Sequence, residues 1–327
     1  MNFPRLLLWI ALAASACITS LPVHAADPAP SKTIEALVSA LKDDDDQVRK
    51  TAVVSLGKAG DQAKSAVPAL VTALGDSEAD VRGATALALA RIGDTSEAVV
   101  SGLIGRLKDS DRDVQSAAAL SLSRLGPDAK AAIRPLAELA DQGDKHLEIY
   151  AHCALATLDD DSQLHVGAVA KCLTDEKVEV RGDAAFALGE LGPRARSAVP
   201  ALGRALKDEN AEVRRAVAAA LASMGAGAKG AAGELSAALA DPDAGVRATS
   251  AMALAEVGPD ARNAVSALAA ACKDKDVDVR GAAVYALGEI GEPSEAAIAA
   301  LTAAIKDEDA EVRAAAAVSL GRLQDAE

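Results

Sequence analysis

One apolar residue returns every 33 positions along this chain, without drift, in nine copies. The series is Val48, Val81, Val114, Leu147, Val180, Val213, Val246, Val279 and Val312. A fixed period of this length is typical of repeat proteins, in which each unit buries its apolar face only against its neighbours. Aromatic residues make up 2% of the chain, so a single large core would have few bulky side chains to fill it.

Each unit contains two helical stretches separated by a polar turn. In residues 197–225, apolar residues recur at steps of three and four, a polar turn follows, and the same spacing returns. Asp stands five residues before the reference position in eight copies, and Asp or Asn stands three residues before it in seven, where its side chain would cap the second helix. Gly closes the second helix in seven copies.

These signals predict an all-α fold, an α-solenoid of about nine helix-turn-helix repeats. No segment shows the alternation of a strand flanked by turn residues. Helices of about 12 residues are marginal by themselves in water, so stacking must stabilise them. The units are predicted to end near residues 60, 93, 126, 159, 192, 225, 258, 291 and 324.

Two stretches carry a family resemblance. "DEKVEVRGDAAFALGELG" (175–192) and "DKDVDVRGAAVYALGEIG" (274–291) resemble HEAT repeats of the phycobilisome-lyase-like subtype, and the resemblance covers nearly everything from Ser31 to Gln324. It implies a ladder in which the turn Asp and the Arg after the reference residue tie adjacent units together. The matching arginines are Arg49, Arg82, Arg181, Arg214, Arg247, Arg280 and Arg313. Such arrays serve scaffolds, adaptors and a few enzymes, so bilin-lyase activity would rest on fold resemblance alone.

The N-terminus has the pattern of a secretory signal peptide over residues 1–25, with a basic residue, an apolar run and small residues before a cut after Ala25. A short linker at 26–30 and a single repeat array at 31–327 would follow. We therefore expect a periplasmic or secreted protein. The alternative is a lipoprotein acylated at Cys17.

The net charge limits the classes of partner, and the spacing of the cysteines bears on possible disulfides. The net charge of −14 would repel phosphate backbones, so nucleic acid is not expected as a partner, and no further stretch could cross a bilayer. Cys153, Cys172 and Cys272 are scattered through predicted helices and form no disulfide framework, although a bond between Cys153 and Cys172 stays open.

The sequence contains no cofactor-binding motif in the structural context that the motif requires. The chain is therefore not expected to be an enzyme. The oligomeric state is left open.

The second helix of each repeat offers a candidate surface. With the reference residue as position 0, positions 0, 4, 7, 8 and 11 form a buried face, small residues at positions 5 and 9 allow close packing, and positions 3, 6 and 10 are left for the surface. In HEAT-like arrays the second helix lines the concave side. Position 6 would form an apolar ribbon, flanked at position 10 by basic residues in repeats one to three and mostly acidic ones in five to eight.

These columns predict a non-enzymatic scaffold that holds a protein or peptide in its concave groove, with Phe186 and Tyr285 as anchors. The candidate partner-binding residues are Lys58, Arg91, Arg124, Phe186, Glu190, Met252, Glu256, Tyr285 and Glu289. A second interpretation fits the sequence equally well. In it, position 6 belongs to the core between repeats, and position 10 is an ordinary solvated face.

The fourth repeat departs from the pattern. Gln142 replaces the turn Asp and Glu148 replaces the ladder Arg, and in the third repeat Gln115 already replaces the Arg. Both ladder partners are therefore lost at adjoining repeats, which predicts a softer joint there.

The same repeat collects histidines, which raises the alternative of a metal-dependent enzyme or metal-binding protein. Its candidate ligands are His146, Glu148, His152, Cys153 and His165. Against this hypothesis, His146 and His152 are six residues apart, so a helix would point them to different faces. Drift of one repeat copy is the competing interpretation.

Overall fold

The computed structural model describes residues 31–325, and within that range every regular element is helical. The predicted signal peptide and linker, residues 1–25 and 26–30, lie outside the described residues. The all-α prediction, with repeated helix-turn-helix units, is confirmed. The first helices of the nine repeats are α1 (Ser31–Ala40), α3 (Val67–Ala73), α5 (Glu97–Arg106), α7 (Ile133–Ala140), α9 (Ser162–Lys171), α11 (Val199–Ala205), α13 (Ala232–Ala238), α15 (Val265–Ala271) and α17 (Glu295–Ala304). The second helices are α2 (Asp46–Ala59), α4 (Ala79–Ile92), α6 (Arg112–Leu125), α8 (Lys145–Leu158), α10 (Val178–Leu191), α12 (Ala211–Ser223), α14 (Ala244–Val257), α16 (Val277–Ile290) and α18 (Ala310–Asp325).

The two helices of a repeat differ in length, which the sequence did not predict. Second helices run 13 to 16 residues, whereas first helices run 7 to 10. The shortest first helices are preceded by a seven-residue 3₁₀ segment, such as Gly60–Ala66 before α3. Pro68 and Pro200 occupy the first turn of α3 and α11, where their missing N–H leaves no helical hydrogen bond unmade.

The predicted caps are present at both ends of the second helices. Side chains at the position three residues before the reference accept backbone N–H groups of the first turn in Asp45, Asp111, Asp144, Asn210, Asp243, Asp276 and Asp309. The closing glycines adopt positive φ, as at Gly60 (56°) and Gly291 (67°), where a Cβ would be strained.

The chain forms two compact units, residues up to 165 and residues from 166 onward. In the first unit, the second helices α2, α4, α6 and α8 pack side by side in chain order; in the second unit, α10, α12, α14, α16 and α18 do the same. The prediction of one array over 31–327 concerns the joint between these units and stays a prediction. None of the helices in the described part is long and apolar enough to traverse a bilayer.

The reference residues form the core between repeats. Eight of them are 0–5% exposed, whereas Val48 is 40% exposed. The reason lies in what each one packs against: a Cβ built on Gly83 of the second repeat would lie 3.9 Å from Cγ2 of Val114 in the third. Val114 therefore rests on the second helix of the preceding repeat, as Val312 does at Gly281, and no repeat precedes Val48 among the described residues.

Small residues at position 9 bring neighbouring second helices into contact, as predicted. A Cβ on Gly57 would lie 3.0 Å from Cβ of Ala88, tighter than most real contacts. The prediction that position 3 faces the surface holds at Thr51, which is exposed, but fails in the third to fifth repeats. Ala117, Tyr150 and Asp183 occupy it and are 0–1% exposed.

The ladder implied by the family resemblance is present. The pairs are Arg49–Asp76, Arg82–Asp109, Arg181–Asp208, Arg214–Asp241, Arg247–Asp274 and Arg280–Asp307. In each pair Nε and Nη2 of the arginine donate to the two carboxylate oxygens at 2.6–3.0 Å. The remaining Nη1 donates to two carbonyls of the arginine's own turn, as from Arg82 to Asp76 and Ser77. Each arginine thus fixes its own turn and joins it to the next one.

Candidate functional site

Position 10 of the second helices faces solvent along most of both compact units. The side chains of Lys58, Arg91 and Arg124 in the first unit are exposed, as are those of Glu190 and Glu256 in the second. Position 10 is therefore a solvated column, basic in the first unit and mainly acidic in the second. This much agrees with both interpretations of the sequence.

Position 6 behaves differently in different repeats. Leu120 and Cys153 are fully buried, so in repeats three and four this position belongs to the core, as the second interpretation holds. Phe186, Met252 and Tyr285 are only partly buried, so they present apolar surface beside the acidic column. The apolar ribbon expected along every repeat is thus interrupted in the first unit and present in part of the second.

The C-terminal part of the second unit brings several candidates together. Arg322 pairs with Glu289, and its guanidinium carbon lies 5.8 Å from the centre of the Tyr285 ring. Partial burial raises the pKa of Tyr285, and the carboxylates of Glu289 and Glu256 raise it further, while Arg322 opposes them. Anions at two adjacent repeats therefore surround one aromatic ring. Arg322 was not among the candidate residues, although its place at position 10 of the last repeat was readable.

A shallow cavity lies beside this acidic column. It measures about 470 Å³ and is lined by residues that include Arg196, Ser223, Met224 and Glu256. Most of its lining is apolar, with Arg196 and Glu256 as the charged residues.

The end of the fourth repeat and the first helix of the fifth bring together only part of the proposed metal set. Nδ1 of His152 lies 3.0 Å from Nδ1 of His165, and Nε2 of His165 lies 3.5 Å from Oδ2 of Asp159. Since one imidazole must donate to the other, at least one of them is neutral. Asp159 was missed by sequence analysis, but it stands where Gly closes seven other second helices, and that replacement was the available signal.

The other metal candidates point elsewhere. His146 makes an edge contact with the ring of Tyr150, with centroids 4.9 Å apart, and Glu148 pairs with Lys145 at 2.8 Å. Cys153 is fully buried. Across residues 31–325, no three or more His, Cys, Asp or Glu side chains are grouped so that they could hold a metal ion.

The remaining cysteines are also buried. Burial raises the pKa of Cys272 to about 12, as expected for a small core residue. Cys172 is 6% exposed, and the structure contains no disulfide between it and Cys153.

Comparison with protein families identifies repeats along most of the chain. The family described as HEAT repeats matches residues 13–90, 34–123, 67–155, 167–232 and 232–321. The stretch left out between these matches, 156–166, spans the end of the irregular fourth repeat and the start of the fifth. A comparison with curated proteins finds no match.

Solved structures give two similar chains. An engineered protein solved by a structural genomics consortium is 24% identical, with 90% of each chain covered and a TM-score of 0.48. A designed armadillo repeat protein, solved in complex with the peptide (KR)4, is 19% identical over 70% of this chain and 100% of its own, with a TM-score of 0.45.

Proposed function

The chain belongs to the HEAT-repeat family, and we propose that it is a non-enzymatic binding protein that holds a protein or peptide segment along its second helices. HEAT repeats commonly mediate interactions between proteins, whereas the fold by itself specifies no chemistry. The phycobilisome-lyase-like subtype stays part of this proposal.

One observation carries the proposal. Phe186, Met252 and Tyr285 occupy the same position in three repeats of the second compact unit and leave apolar surface open to solvent. Their neighbours at positions 5 and 7, for example Ala251 and Ala253, are fully buried. Aromatic side chains with a partly exposed face supply much of the binding energy at protein interfaces.

The test is capture of a partner from an envelope extract of the native host, with identification by mass spectrometry. We expect the wild type to recover a protein that the variant Phe186→Ala/Tyr285→Ala does not. The matched control is Leu164→Ala/Ile298→Ala, which removes exposed apolar side chains, 69% and 40% exposed, from first helices. Equal recovery of the partner by all three proteins would remove Phe186 and Tyr285 from the proposal.

Export is the second part of the proposal, and it is supported by the sequence of residues 1–25. We propose a periplasmic or secreted protein that is cut after Ala25. N-terminal sequencing of the protein from its host decides this point. An intact Met1 would contradict export, and a lipid-modified Cys17 would favour the lipoprotein alternative.

A metal-binding role for the fourth repeat is the competing function, and the 3.0 Å approach of His152 to His165 is the observation that favours it. Elemental analysis of untagged protein tests it. Less than about 0.1 equivalent of any transition metal would dispose of it.

A further inference from the structure

The second compact unit carries acidic side chains at regular intervals along one surface. Glu190, Glu256 and Glu289 occupy position 10 of the fifth, seventh and eighth repeats. At position 10 of repeats five to nine, the one basic residue is Arg322, and it is already engaged by Glu289 and the ring of Tyr285. A ligand at this surface therefore meets a negative field.

The environment of Tyr285 supports the same conclusion. After burial, the neighbouring carboxylates Glu289 and Glu256 are the causes that raise the pKa of its phenol. A positive group placed near this ring would be stabilised both by the carboxylates and by the face of the aromatic ring.

The spacing of the repeats constrains the shape of a ligand. Second helices in contact lie about 9 Å apart. An extended or polyproline II chain advances about 3.1 Å per residue, so about three residues of it span one repeat. A ligand with a cation at every third residue would thus present one positive charge to each repeat. It would match carboxylates in adjacent repeats and carboxylates two repeats apart.

We propose that the acidic surface formed by Phe186, Glu190, Met252, Glu256, Tyr285 and Glu289 binds an extended peptide segment with Lys or Arg at every third residue and apolar residues between them. This inference rests on the proposed binding function and specifies the chemistry of the partner. The cations pair with Glu190 and Glu256, Glu289 keeps its ion pair with Arg322, and the apolar side chains cover Phe186, Met252 and Tyr285. The net charge of −14 attracts such a segment at long range.

The experiment measures fluorescence anisotropy of a labelled synthetic peptide titrated with the full chain. The probe is a Lys-Leu-Pro repeat of about 12 residues, which spans about four repeats of the protein. Its counterpart carries Glu in place of every Lys. We expect the basic peptide to bind, the acidic one not to bind, and the affinity to fall as NaCl rises from about 0.05 M to about 0.5 M.

Paired variants locate the binding. Glu190→Gln/Glu256→Gln keeps the side-chain size and is expected to weaken binding by about tenfold. The control Glu234→Gln/Glu295→Gln removes the same charge from exposed positions on first helices and is expected to change the affinity less than about twofold. Circular dichroism and thermal unfolding verify that both variants are folded.

Three results would overturn the inference: no binding of the basic peptide, equal binding of both peptides, or equal weakening by both paired variants. None of these results contradicts the proposed function of binding a protein or peptide. That function would survive if a natural partner is captured through Phe186 and Tyr285 by an interaction insensitive to salt. Conversely, loss of the captured partner would leave peptide binding measurable by itself.

Discussion

Arg214 joins Asp241 of the next repeat through two parallel hydrogen bonds, Nε to Oδ2 at 2.8 Å and Nη2 to Oδ1 at 2.7 Å. Both side chains are largely buried, at 12% and 9% exposed. The third arm of the guanidinium donates to the carbonyls of Asp208 and Glu209 in its own turn. A lysine has no planar fork and could not make this set of bonds.

Removing such an arginine is expected to destabilise the protein. Arg214→Ala leaves the Asp241 carboxylate buried without its cation, and we expect a loss of about 2 kcal/mol in the free energy of unfolding. The control is Arg313→Ala in the last repeat, where Nη1 also donates to its own turn, at Asp307 and Glu308, but no carboxylate of a following repeat is present in the described chain. Urea unfolding measures both. Equal losses would show that the bond between repeats contributes nothing.

Acid is expected to weaken the ladder in a defined pH range. The hydrogen bond from Arg247 holds the pKa of Asp274 below its usual value of 3.8, and the pKa of Asp307 is likewise lowered, first by Arg280. A carboxylate whose folded pKa is lowered stabilises the fold above about pH 4, and this contribution is lost as the pH falls through the folded pKa. The contribution of the ladder to the urea midpoint, taken as the difference between wild type and Asp274→Asn, should therefore be constant from about pH 7 to pH 5 and fall below about pH 4. Asp274→Asn removes one of these carboxylates, so its urea midpoint should fall less below about pH 4 than that of the wild type.

The family resemblance implied the ladder and the periodicity predicted the core, but neither predicted that position 3 is buried in several repeats, and the reason is geometric. A single ideal helix assigns positions 0 and 8 to the core, and Val246 and Leu254, for example, are fully buried there. Position 3 is fully buried at Tyr150 but exposed at Thr51, and a pattern read one helix at a time does not contain the surroundings that make this difference.

The fourth repeat illustrates a second limit. His152, Asp159 and His165 lie in a helix, at its end and in the next helix, with spacings that follow no helical period. The replacement of a closing glycine by Asp159 was visible in the sequence, but its meeting with His165 depends on the path of the turn. The 3₁₀ segments were missed for a similar reason, because short runs such as Gly60–Ala66 contain too few apolar residues to show a period.

Close packing at position 9 makes a directional prediction. A Cβ on Gly288 would lie 2.5 Å from Oγ of Ser319 and 3.0 Å from its Cα, so Gly288→Ala forces two helices apart. We expect a loss of about 1–3 kcal/mol despite the better helix propensity of Ala. The matched control is Gly321→Ala at the same position of the last repeat, where a Cβ meets nothing within 4 Å. It should stabilise the helix by about 0.5–1 kcal/mol. Thermal unfolding of the two variants gives the sign of each change.

The histidine pair should be visible by titration. Burial lowers the pKa of His152 below 6.5, and a positive charge on His165 lowers it further. His165→Gln removes the second cause, so the pKa of His152 should rise toward 6.5 while staying below it. Since the folded pKa is lowered, the contribution of His152 to stability is present above about pH 6.5 and is lost as the pH falls through the folded value. NMR chemical shifts of the His152 imidazole protons measure its pKa in the wild type and in the variant. An unchanged pKa in the variant would contradict the contact between His152 and His165.

The missing rung of the ladder can be restored within the first compact unit. Gln115 and Gln142 occupy the arginine and aspartate positions and are 27 residues apart, the separation found in every existing rung. We expect Gln115→Arg/Gln142→Asp to raise the free energy of unfolding by about 1–2 kcal/mol, because a bidentate pair forms where two amides now stand. Gln115→Arg alone should retain only the bonds to its own turn, and Gln142→Asp alone adds a negative charge without a partner. The double-mutant cycle, measured by urea unfolding, should therefore give a favourable coupling energy of about 1 kcal/mol. Strict additivity of the two single changes would mean that the third and fourth repeats do not present these positions to each other in ladder geometry.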